Sequence, residues 1–143
     1  MNLKTYQLPL GWQISFPEEW AHEYQEDDAQ NIFYPDDSDL TFRISAFHAE
    51  KEGVPAAPSI MYMVLARSLP EQSEQVSLPE LKIAGCKTHI VRTSETENGR
   101  QVTRIVAGVY CEGELLIVNI FGTNPQEVTE AMVYLTFVSR GKA

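Results

Sequence analysis

The chain has 143 residues and a net charge of −9, and 43% of its residues are apolar and 22% charged. This composition is typical of one soluble globular domain, expected here over residues 1–143, with a core that needs no disulfide or metal. It excludes a disordered chain, and apolar runs such as the one at 115–118 are far too short to cross a bilayer.

The negative charge is concentrated near the start of the chain. Residues 1–50 carry ten Asp and Glu against Lys4 and Arg43, a net charge of −8, whereas residues 51–143 have a net charge of −1. This excess argues against nucleic acid as a partner, because phosphate binding needs a basic surface. Two interpretations remain open: a solubilising face, which generic charge of this kind favours, and a docking face for a cationic partner.

The first residues give no indication of export. Residues 1–7 lack the apolar stretch of about 7–15 residues that a secretory signal requires. If Met1 is the native start, we expect a protein of a bacterial-type cytoplasm, with no membrane partner.

Strands separated by turns are predicted for the first third of the chain. Apolar and polar residues alternate from Trp12, and Pro17 ends this segment because proline has no backbone N–H to donate. A turn at 9–11 precedes it, and an acidic turn at 35–39 separates the last two segments. The predicted strands are residues 5–8, 12–16, 29–34 and 40–49.

A helix is predicted in the middle of the chain. After a loop at 50–58, which is rich in charge and proline, Ser59 is a candidate N-cap for a helix over 59–69 that Pro70 ends. The predicted apolar side of this helix consists of Ile60, Met63, Val64 and the stem of Arg67. Two short extended segments are expected beyond it, at 75–78 and 81–84.

The clearest local geometry is a hairpin centred on Asn98-Gly99. This dipeptide between two long alternating runs is the strongest short-range signal for a type I′ turn. In that register the numbers of cross-strand partners sum to 197, so Cys86 faces Cys111. The face predicted to be buried contains Cys86, Ile90, Ile105, Ala107 and Val109.

Glu112-Gly113 predicts a second tight turn, followed by a strand that is apolar on both faces. Leu116, Val118 and Ile120 continue the buried face of the hairpin, whereas Leu115, Ile117 and Phe121 point the other way. A strand of this kind is usually covered on both sides. We therefore expect it at the centre of the sheet.

The last helix has three start signals. Asn124 is a predicted N-cap, Pro125 takes the first helical position, and Glu127 is placed to complete a capping box. Gly141 is predicted to end the helix. The apolar stripe consists of Val128, Ala131, Met132, Leu135 and Val138.

The two cysteines allow either a disulfide or two buried reduced thiols. The chain has no other cysteine and no C-x-x-C spacing, so a zinc site is not expected. The hairpin register brings the two Cα atoms within disulfide range. A reducing cytoplasm favours the thiols.

No residue pattern predicts catalysis, a cofactor or a metal. His22, His48 and His89 lie on different predicted elements, and His48 is expected to be a solvated or capping residue. The acidic turn at 36–39 lacks the glycine and the distal glutamate of an EF-hand loop. The sequence has no G-x-S-x-G motif and no glycine-rich phosphate loop.

The opening of the chain and the order of its elements resemble the PsbP-like superfamily. The residues that carry the resemblance are Trp12-Gln-Ile-Ser-Phe-Pro-Glu-Glu-Trp20 and Asn31-Ile-Phe-Tyr-Pro35, followed by the strand at 40–49. The resemblance implies an α+β fold in which an antiparallel β-sheet is flanked by helices on both faces, a PsbP-like α/β/α sandwich. It also implies a binding or assembly role without catalysis. Members as different as PsbP, the Ran-release factor, DcrB-type proteins and type VI secretion adaptors share the fold, so a partner does not transfer.

The predicted function is a non-catalytic protein-binding or assembly module that docks a cationic protein partner. Trp20 is expected to pack over the end of the sheet, with a role as a binding anchor as the alternative. We expect the aspartates at 36, 37 and 39 to contribute little to stability. The candidate partner-binding residues are Glu18, Glu19, Trp20, Glu23, Glu26, Asp27, Asp28, Asp36, Asp37 and Asp39.

Two other functions remain open. The first is a secretion adaptor, chaperone or immunity-type protein that binds through an apolar surface, and its association should survive high salt. The second is an unrecognised hydrolase, whose site should be a deep pocket with convergent polar groups.

Overall fold

The computed structural model describes residues 2–48, 50–51, 54–55, 59–69, 74–79 and 86–140. Strands dominate these residues, as predicted. They are β1 (Leu3–Gln7), β2 (Trp12–Pro17), β3 (Ala21–Gln25), β4 (Gln30–Tyr34), β5 (Thr41–His48), β6 (Glu50–Lys51), β7 (Val54–Pro55), β8 (Glu74–Leu78), β9 (Lys87–Glu97), β10 (Arg100–Cys111), β11 (Glu114–Gly122) and β12 (Ser139–Arg140).

Helical segments are short. The α-helices are α1 (Ile60–Ser68) and α2 (Pro125–Glu130), and α2 runs directly into a 3-10 helix at Ala131–Phe137. A 3-10 turn at Pro9–Gly11 joins β1 to β2. None of the helices in the described residues is both long and apolar enough to cross a membrane.

Seven of the described strands form one antiparallel sheet, in the order β3-β4-β5-β11-β10-β9-β8. β1, β2 and β12 form a second sheet, and β6 pairs only with β7. β11 is the middle strand of the seven, between β5 and β10. This position confirms the prediction from its two apolar faces.

Two tight turns set the register at the centre of the large sheet. The φ angles are 52° and 78° at Asn98 and Gly99, and 48° and 85° at Glu112 and Gly113. Positive φ at both central residues is the signature of a type I′ turn. Ile90 lies opposite Ala107, so the predicted register is confirmed.

Alternate residues of β10 and β11 enter two separate cores on the two faces of the sheet. The large core includes Trp12, Ile14, Phe16, Phe33, Phe42, Ile44, Ile90, Ile105, Ala107, Val109, Leu116, Val118, Ile120, Val128, Ala131, Leu135 and Val138. The small core consists of Met61, Leu65, Val106, Tyr110, Leu115 and Ile117. The buried face predicted for the hairpin is therefore part of the large core.

The layers that cover the two faces differ in composition. On the small core the cover is α1. On the large core, β2 of the second sheet packs beside α2 and the 3-10 helix. The predicted α+β fold with an antiparallel sheet is confirmed, whereas helices as the cover of both faces are realised only in part, because a sheet shares one of them.

β3 is absent from the predicted strands. It pairs only with β4 and forms one edge of the large sheet. Four of its five residues are exposed, and Ala21 is half-buried. An edge strand that faces solvent needs no alternating apolar pattern, so periodicity does not detect it.

The prediction for α1 is correct in its extent and partly correct for its apolar side. Ile60 and Val64 pack against the small core, whereas the cap at Ser59 and the burial of Met63 are wrong. Ser59 has helical backbone angles and makes no capping hydrogen bond through its side chain. The buried side chains are Met61 and Leu65, whereas Met63 is 56% exposed. Residues 60–65 are all apolar or aromatic, so the sequence does not select a face. The sheet selects it, since Gly108 of β10 leaves room for Met61 and Leu65.

The C-terminal helix begins as predicted and ends early. The Asn124 side chain accepts hydrogen bonds from the backbone N–H groups of Gln126 and Glu127 at 3.1 and 3.2 Å, which confirms the cap. The helix turns to 3-10 geometry at Ala131, and the chain then forms β12 against β2. Pairing with a distant strand thus ends a helix that local signals would extend.

Other predicted segments complete the description. The predicted extended segment at 75–78 is β8, and the predicted loop at 50–58 contains the β6–β7 pair. The segment at 81–84 and the proposed helix ends at Pro70 and Gly141 lie outside the described residues.

Replacement of Gly108 by alanine should destabilise the fold. A Cβ atom at this position would lie 2.7 Å from Met61 Cγ and 3.1 Å from Leu65 Cδ1. We expect the free energy of unfolding to fall by about 1–3 kcal/mol, as for other overpacked cores. The steric clash therefore outweighs the roughly 0.5–1 kcal/mol of stability that alanine normally adds relative to glycine inside a strand. Urea denaturation measures the change.

The matched control repeats Gly108→Ala in a Met61→Ala background. Truncation of Met61 removes the nearest obstructing atoms, so the alanine at 108 should cost much less there. An equal cost in both backgrounds would show that the contact with α1 is not the cause.

Candidate functional site

The structure separates the tip of the β3–β4 hairpin from the rest of the predicted acidic surface. Residues 26–28 lie in the exposed turn between the two strands. Trp20 and Pro35 lie at the opposite end of the hairpin, because Gln25 pairs with Gln30 near the tip. Five residues of strand correspond to roughly 15 Å, so the tip is remote from Trp20.

Glu23 and Asp36 act on a tyrosine of the same hairpin. Burial raises the pKa of Tyr34, and the charge of Glu23, a hydrogen bond to Glu23 and the charge of Asp36 raise it further. Both carboxylates therefore lie near the Tyr34 hydroxyl. Glu23 therefore has the Tyr34 hydroxyl as a neighbour within its own hairpin.

Asp39 has a structural role that the sequence does not indicate. Its carboxylate accepts hydrogen bonds from the Thr123 hydroxyl at 2.6 Å and from the Thr123 backbone N–H at 3.2 Å. Arg100 lies 3.8 Å from it. The bond from the Thr123 hydroxyl is the largest cause that lowers the pKa of Asp39. The expectation that this aspartate contributes little to stability is therefore corrected, since it joins the start of β5 to the end of β11.

An open cleft of about 370 Å³ lies between the base of the β3–β4 hairpin and the C-terminal helical segment. Its lining combines aromatic and apolar side chains with three carboxylates and includes no basic residue. The lining residues are Trp20, Pro35, Asp37, Leu40, Glu127, Glu130, Ala131, Val133 and Tyr134. We refer to this feature as the acidic cleft.

Trp20 combines the two roles that the sequence leaves open. Its indole stacks on Phe16, with ring centroids 5.1 Å apart and an interplanar angle of 17°. Tyr134 lies at 5.0 Å and Phe42 at 5.9 Å. The side chain is only half-buried and lines the acidic cleft. Trp20 is thus part of the aromatic packing and also part of an accessible surface.

Glu19 adds a fourth carboxylate next to the cleft. Burial raises the pKa of Tyr134, and the negative charge of Glu19 raises it further. Glu18 and Glu19 lie in the exposed turn between β2 and β3, where Glu18 accepts a hydrogen bond from Asn2 at 3.3 Å. Of the predicted acidic residues, Asp37 therefore lines the cleft and Glu19 lies near Tyr134.

Glu127 and Glu130 are missing from the predicted site. They lie three residues apart on α2 and share a helix face away from the apolar stripe. The Gln126 amide donates to Glu130 at 3.2 Å, and no basic side chain in the described residues pairs with either carboxylate. The spacing of Glu127 and Glu130 in the sequence predicts an acidic helix face. It does not indicate that this face lines the same cleft as Trp20.

A second group of titratable side chains lies at the other end of β11. His48 Nδ1 lies 2.7 Å from Glu114 Oε1, and an Arg140 guanidinium nitrogen lies 3.8 Å from the same oxygen. Arg140 also donates to the Cys111 carbonyl at 3.3 Å and lies over the Trp12 ring. This group attaches β12 to the large sheet. The prediction of a solvated His48 is confirmed in part, because its side chain is 50% exposed while its imidazole also pairs with Glu114.

The two cysteines are not joined by a disulfide, and both are half-buried. Burial raises the pKa of Cys86 to about 11, and a hydrogen bond with Cys111 contributes to the rise. The two thiols are therefore adjacent, as the hairpin register predicts. At neutral pH Cys86 is a protonated thiol, which is a poor nucleophile and a poor metal ligand.

The remaining histidines are dispersed. His22 Nε2 lies 2.9 Å from Asn31 Oδ1, and its ring stacks on Phe33. His89 packs against Tyr62. In the part of the chain that the structure describes, no three His, Cys, Asp or Glu side chains form a group suited to a metal ion.

Comparison with solved structures shows a PsbP-like fold. Over 97% of this chain and 92% of the other, it matches cyanobacterial PsbP (CyanoP) from Synechocystis sp. PCC 6803, with a TM-score of 0.68 and 9% identity. It matches the Ran-binding protein Mog1p of Saccharomyces cerevisiae over 95% of this chain and 84% of the other, with a TM-score of 0.55 and 12% identity.

A further match is a protein of Bacteroides thetaiotaomicron, with a TM-score of 0.72 and 16% identity over 99% of this chain. The chain spans half the length of that protein. At such identities the similarity establishes the fold alone. No protein-family model matches the sequence, and no curated protein matches it either.

Replacement of Asp39 by asparagine should destabilise the protein in a pH-dependent manner. The folded-state pKa lies below the ordinary value of 3.8, so the stabilisation is present above that value and is lost as the pH falls through the lower folded-state pKa. Because the side chain is 43% exposed, we expect a loss of only about 1 kcal/mol at pH 7. Urea denaturation at pH 7 and near pH 2 measures both limits. A loss that is the same at both pH values would contradict the assignment.

The Cys86 thiol should react slowly with iodoacetamide at neutral pH. Its labelling rate should reach half of its maximum near pH 11, well above the value of about 8.5 for an unperturbed thiol. Peptide mapping by mass spectrometry separates Cys86 from Cys111. In a Cys111→Ser variant the midpoint should fall but stay above the ordinary value, because burial is the largest cause. A midpoint at the ordinary value in the unmodified protein would exclude a buried Cys86 thiol.

Proposed function

We propose that this protein is a non-catalytic protein-binding or assembly module that docks a cationic partner protein at the acidic cleft. The observation that carries the proposal is the lining of the cleft, where Trp20 and Tyr134 lie beside three carboxylates and no basic side chain. The docking face consists of the cleft, Glu19 near Tyr134, and Glu18 and Asp36, which are the exposed sequence neighbours of Glu19 and Asp37. It does not include the hairpin tip at 26–28.

Uncompensated carboxylates favour association with a cationic protein. Like charges gathered on one face create a potential that attracts a partner of opposite charge and raises the association rate. Exposed aromatic side chains such as Trp20 supply the buried contact area on which affinity depends. A purely solubilising face explains the charge, but it does not explain an accessible tryptophan within it.

The comparisons support a binding role only at the level of the fold. Mog1p is described as a Ran-binding protein, so at least one PsbP-like fold binds another protein. The raised pKa of Cys86 argues only against this thiol as a catalytic nucleophile. A cytoplasmic location stays a prediction from the sequence.

The alternative is an adaptor or immunity-type protein that binds through an apolar surface. It is favoured by the exposed side chains of Tyr62 and Met63 on α1 and of Phe47 on β5. Such docking would be insensitive to salt, because screening acts on charges and not on apolar contacts.

Neutralisation of Asp36 and Asp37 should slow association with the partner. An Asp36→Asn, Asp37→Asn variant removes two exposed carboxylates without touching Asp39, so its stability should stay within about 0.5 kcal/mol of the parent. Partners are first captured from a native lysate at low and high salt. The association rate of a captured partner, purified and measured by surface plasmon resonance, should fall several-fold in the variant, with a weaker dependence on salt.

The matched control is Asp27→Asn, Asp28→Asn at the hairpin tip. It removes the same charge from an equally exposed turn and should leave the association rate almost unchanged. If both variants slow association equally, the effect comes from the overall negative charge of the protein and not from the acidic cleft. A partner that stays bound at high salt and ignores both variants would favour the apolar alternative.

A further inference from the structure

We infer that the acidic cleft holds an arginine side chain of the partner, with its guanidinium against Trp20 and Tyr134 and hydrogen-bonded to carboxylates of α2. This inference rests on the proposed function and specifies the chemistry of the contact. It depends on how two distant parts of the chain meet. Trp20 and Asp37 flank the β3–β4 hairpin, whereas Glu127, Glu130 and Tyr134 belong to the C-terminal segment.

The aromatic side of the cleft suits a flat cation. Phe16 stacks on one face of the Trp20 indole at an interplanar angle of 17°, and the remaining surface of this half-buried ring lines the cleft. The Tyr134 ring lies at 59° to the indole with centroids 5.0 Å apart, so the two rings form a corner. A guanidinium placed against such a corner gains cation–π attraction, which is strongest with tryptophan.

The acidic side of the cleft supplies acceptors for the same cation. Glu127 and Glu130 share a face of α2, and Asp37 approaches from the hairpin. The neutral Gln126 amide is the hydrogen-bond partner of Glu130, so its charge is not compensated. Guanidinium N–H groups bind carboxylates in a bidentate manner, and such charge-assisted bonds are about twice as strong as neutral ones.

Arginine suits this lining better than lysine. An ammonium group is compact and strongly hydrated, whereas a guanidinium is planar, weakly hydrated and able to stack and donate at the same time. The cleft volume of about 370 Å³ lies at the low end of the roughly 300–1,000 Å³ that small-ligand clefts occupy, which suits one long side chain.

The two tryptophans provide an internal control for a direct test. Trp20 lines the cleft, whereas Trp12 is fully buried in the large core. The probe is a short, otherwise neutral peptide with one arginine, titrated into ¹⁵N-labelled protein, and the indole N–H resonances are assigned with a Trp20→Phe variant. The Trp20 resonance should shift saturably, and the Trp12 resonance should stay in place. A citrulline peptide should cause no shift, and a lysine peptide should bind several-fold more weakly.

Paired variants locate the contact. The double variant Glu127→Gln, Glu130→Gln should bind the arginine peptide at least tenfold more weakly. The tip variant Asp27→Asn, Asp28→Asn should change the affinity for this peptide less than twofold. The Asn124 cap bonds to backbone N–H groups and survives the first change, and circular dichroism checks that both variants fold. The arginine site is wrong if the Trp20 resonance does not shift on addition of the arginine peptide. It is also wrong if both variants lower the affinity for this peptide equally.

The inference and the proposed function fail separately. If a captured cationic partner binds the Glu127→Gln, Glu130→Gln variant as tightly as the parent protein but loses association rate in Asp36→Asn, Asp37→Asn, the arginine site is wrong and the docking face stands. If the arginine peptide binds as described but neither pair of substitutions changes partner association, the cleft binds arginine and the proposed partner docking is wrong.

Discussion

Burial of β11 on both faces is the constraint on which the other layers depend. Leu116 and its alternate neighbours enter the large core, whereas Leu115 and Ile117 enter the small core. A strand of this kind is stable only inside a sheet that has a layer on each side. α1 supplies one layer, and β2 with the C-terminal segment supplies the other. α1 can approach the sheet this closely because Gly108 has no side chain.

The cover of the large core brings an N-terminal part of the chain next to the C-terminal helical segment. The acidic cleft lies between the base of the β3–β4 hairpin and this segment. The aromatic packing of Phe16, Trp20 and Tyr134 joins the hairpin base to the C-terminal helical segment. Carboxylates from both segments then share one surface without a basic partner in the described residues. Like charges gathered in this way repel one another and destabilise the compact state slightly.

The acidic residues of the first third therefore have different roles despite their similar sequence context. Asp39 accepts hydrogen bonds from Thr123, whereas Glu23 lies near Tyr34 and raises the pKa of this tyrosine. Residues 26–28 lie at a hairpin tip, and Asp37 lines the cleft. Net charge and its position along the chain indicate an acidic surface, but only contacts with distant residues separate structural carboxylates from those available to a partner.

The sequence by itself determined the features whose causes are local. The positive φ angles that Asn98-Gly99 accepts fix the central hairpin, and the side chain of Asn124 fixes the start of α2, because each acts within a few residues. The tertiary structure decided the rest: the edge strand β3, the buried side of α1, the early end of the C-terminal helix and the meeting of Glu127 with Trp20. Each of these depends on which distant surface packs against the segment, and a local pattern of apolar and polar residues carries no record of that partner.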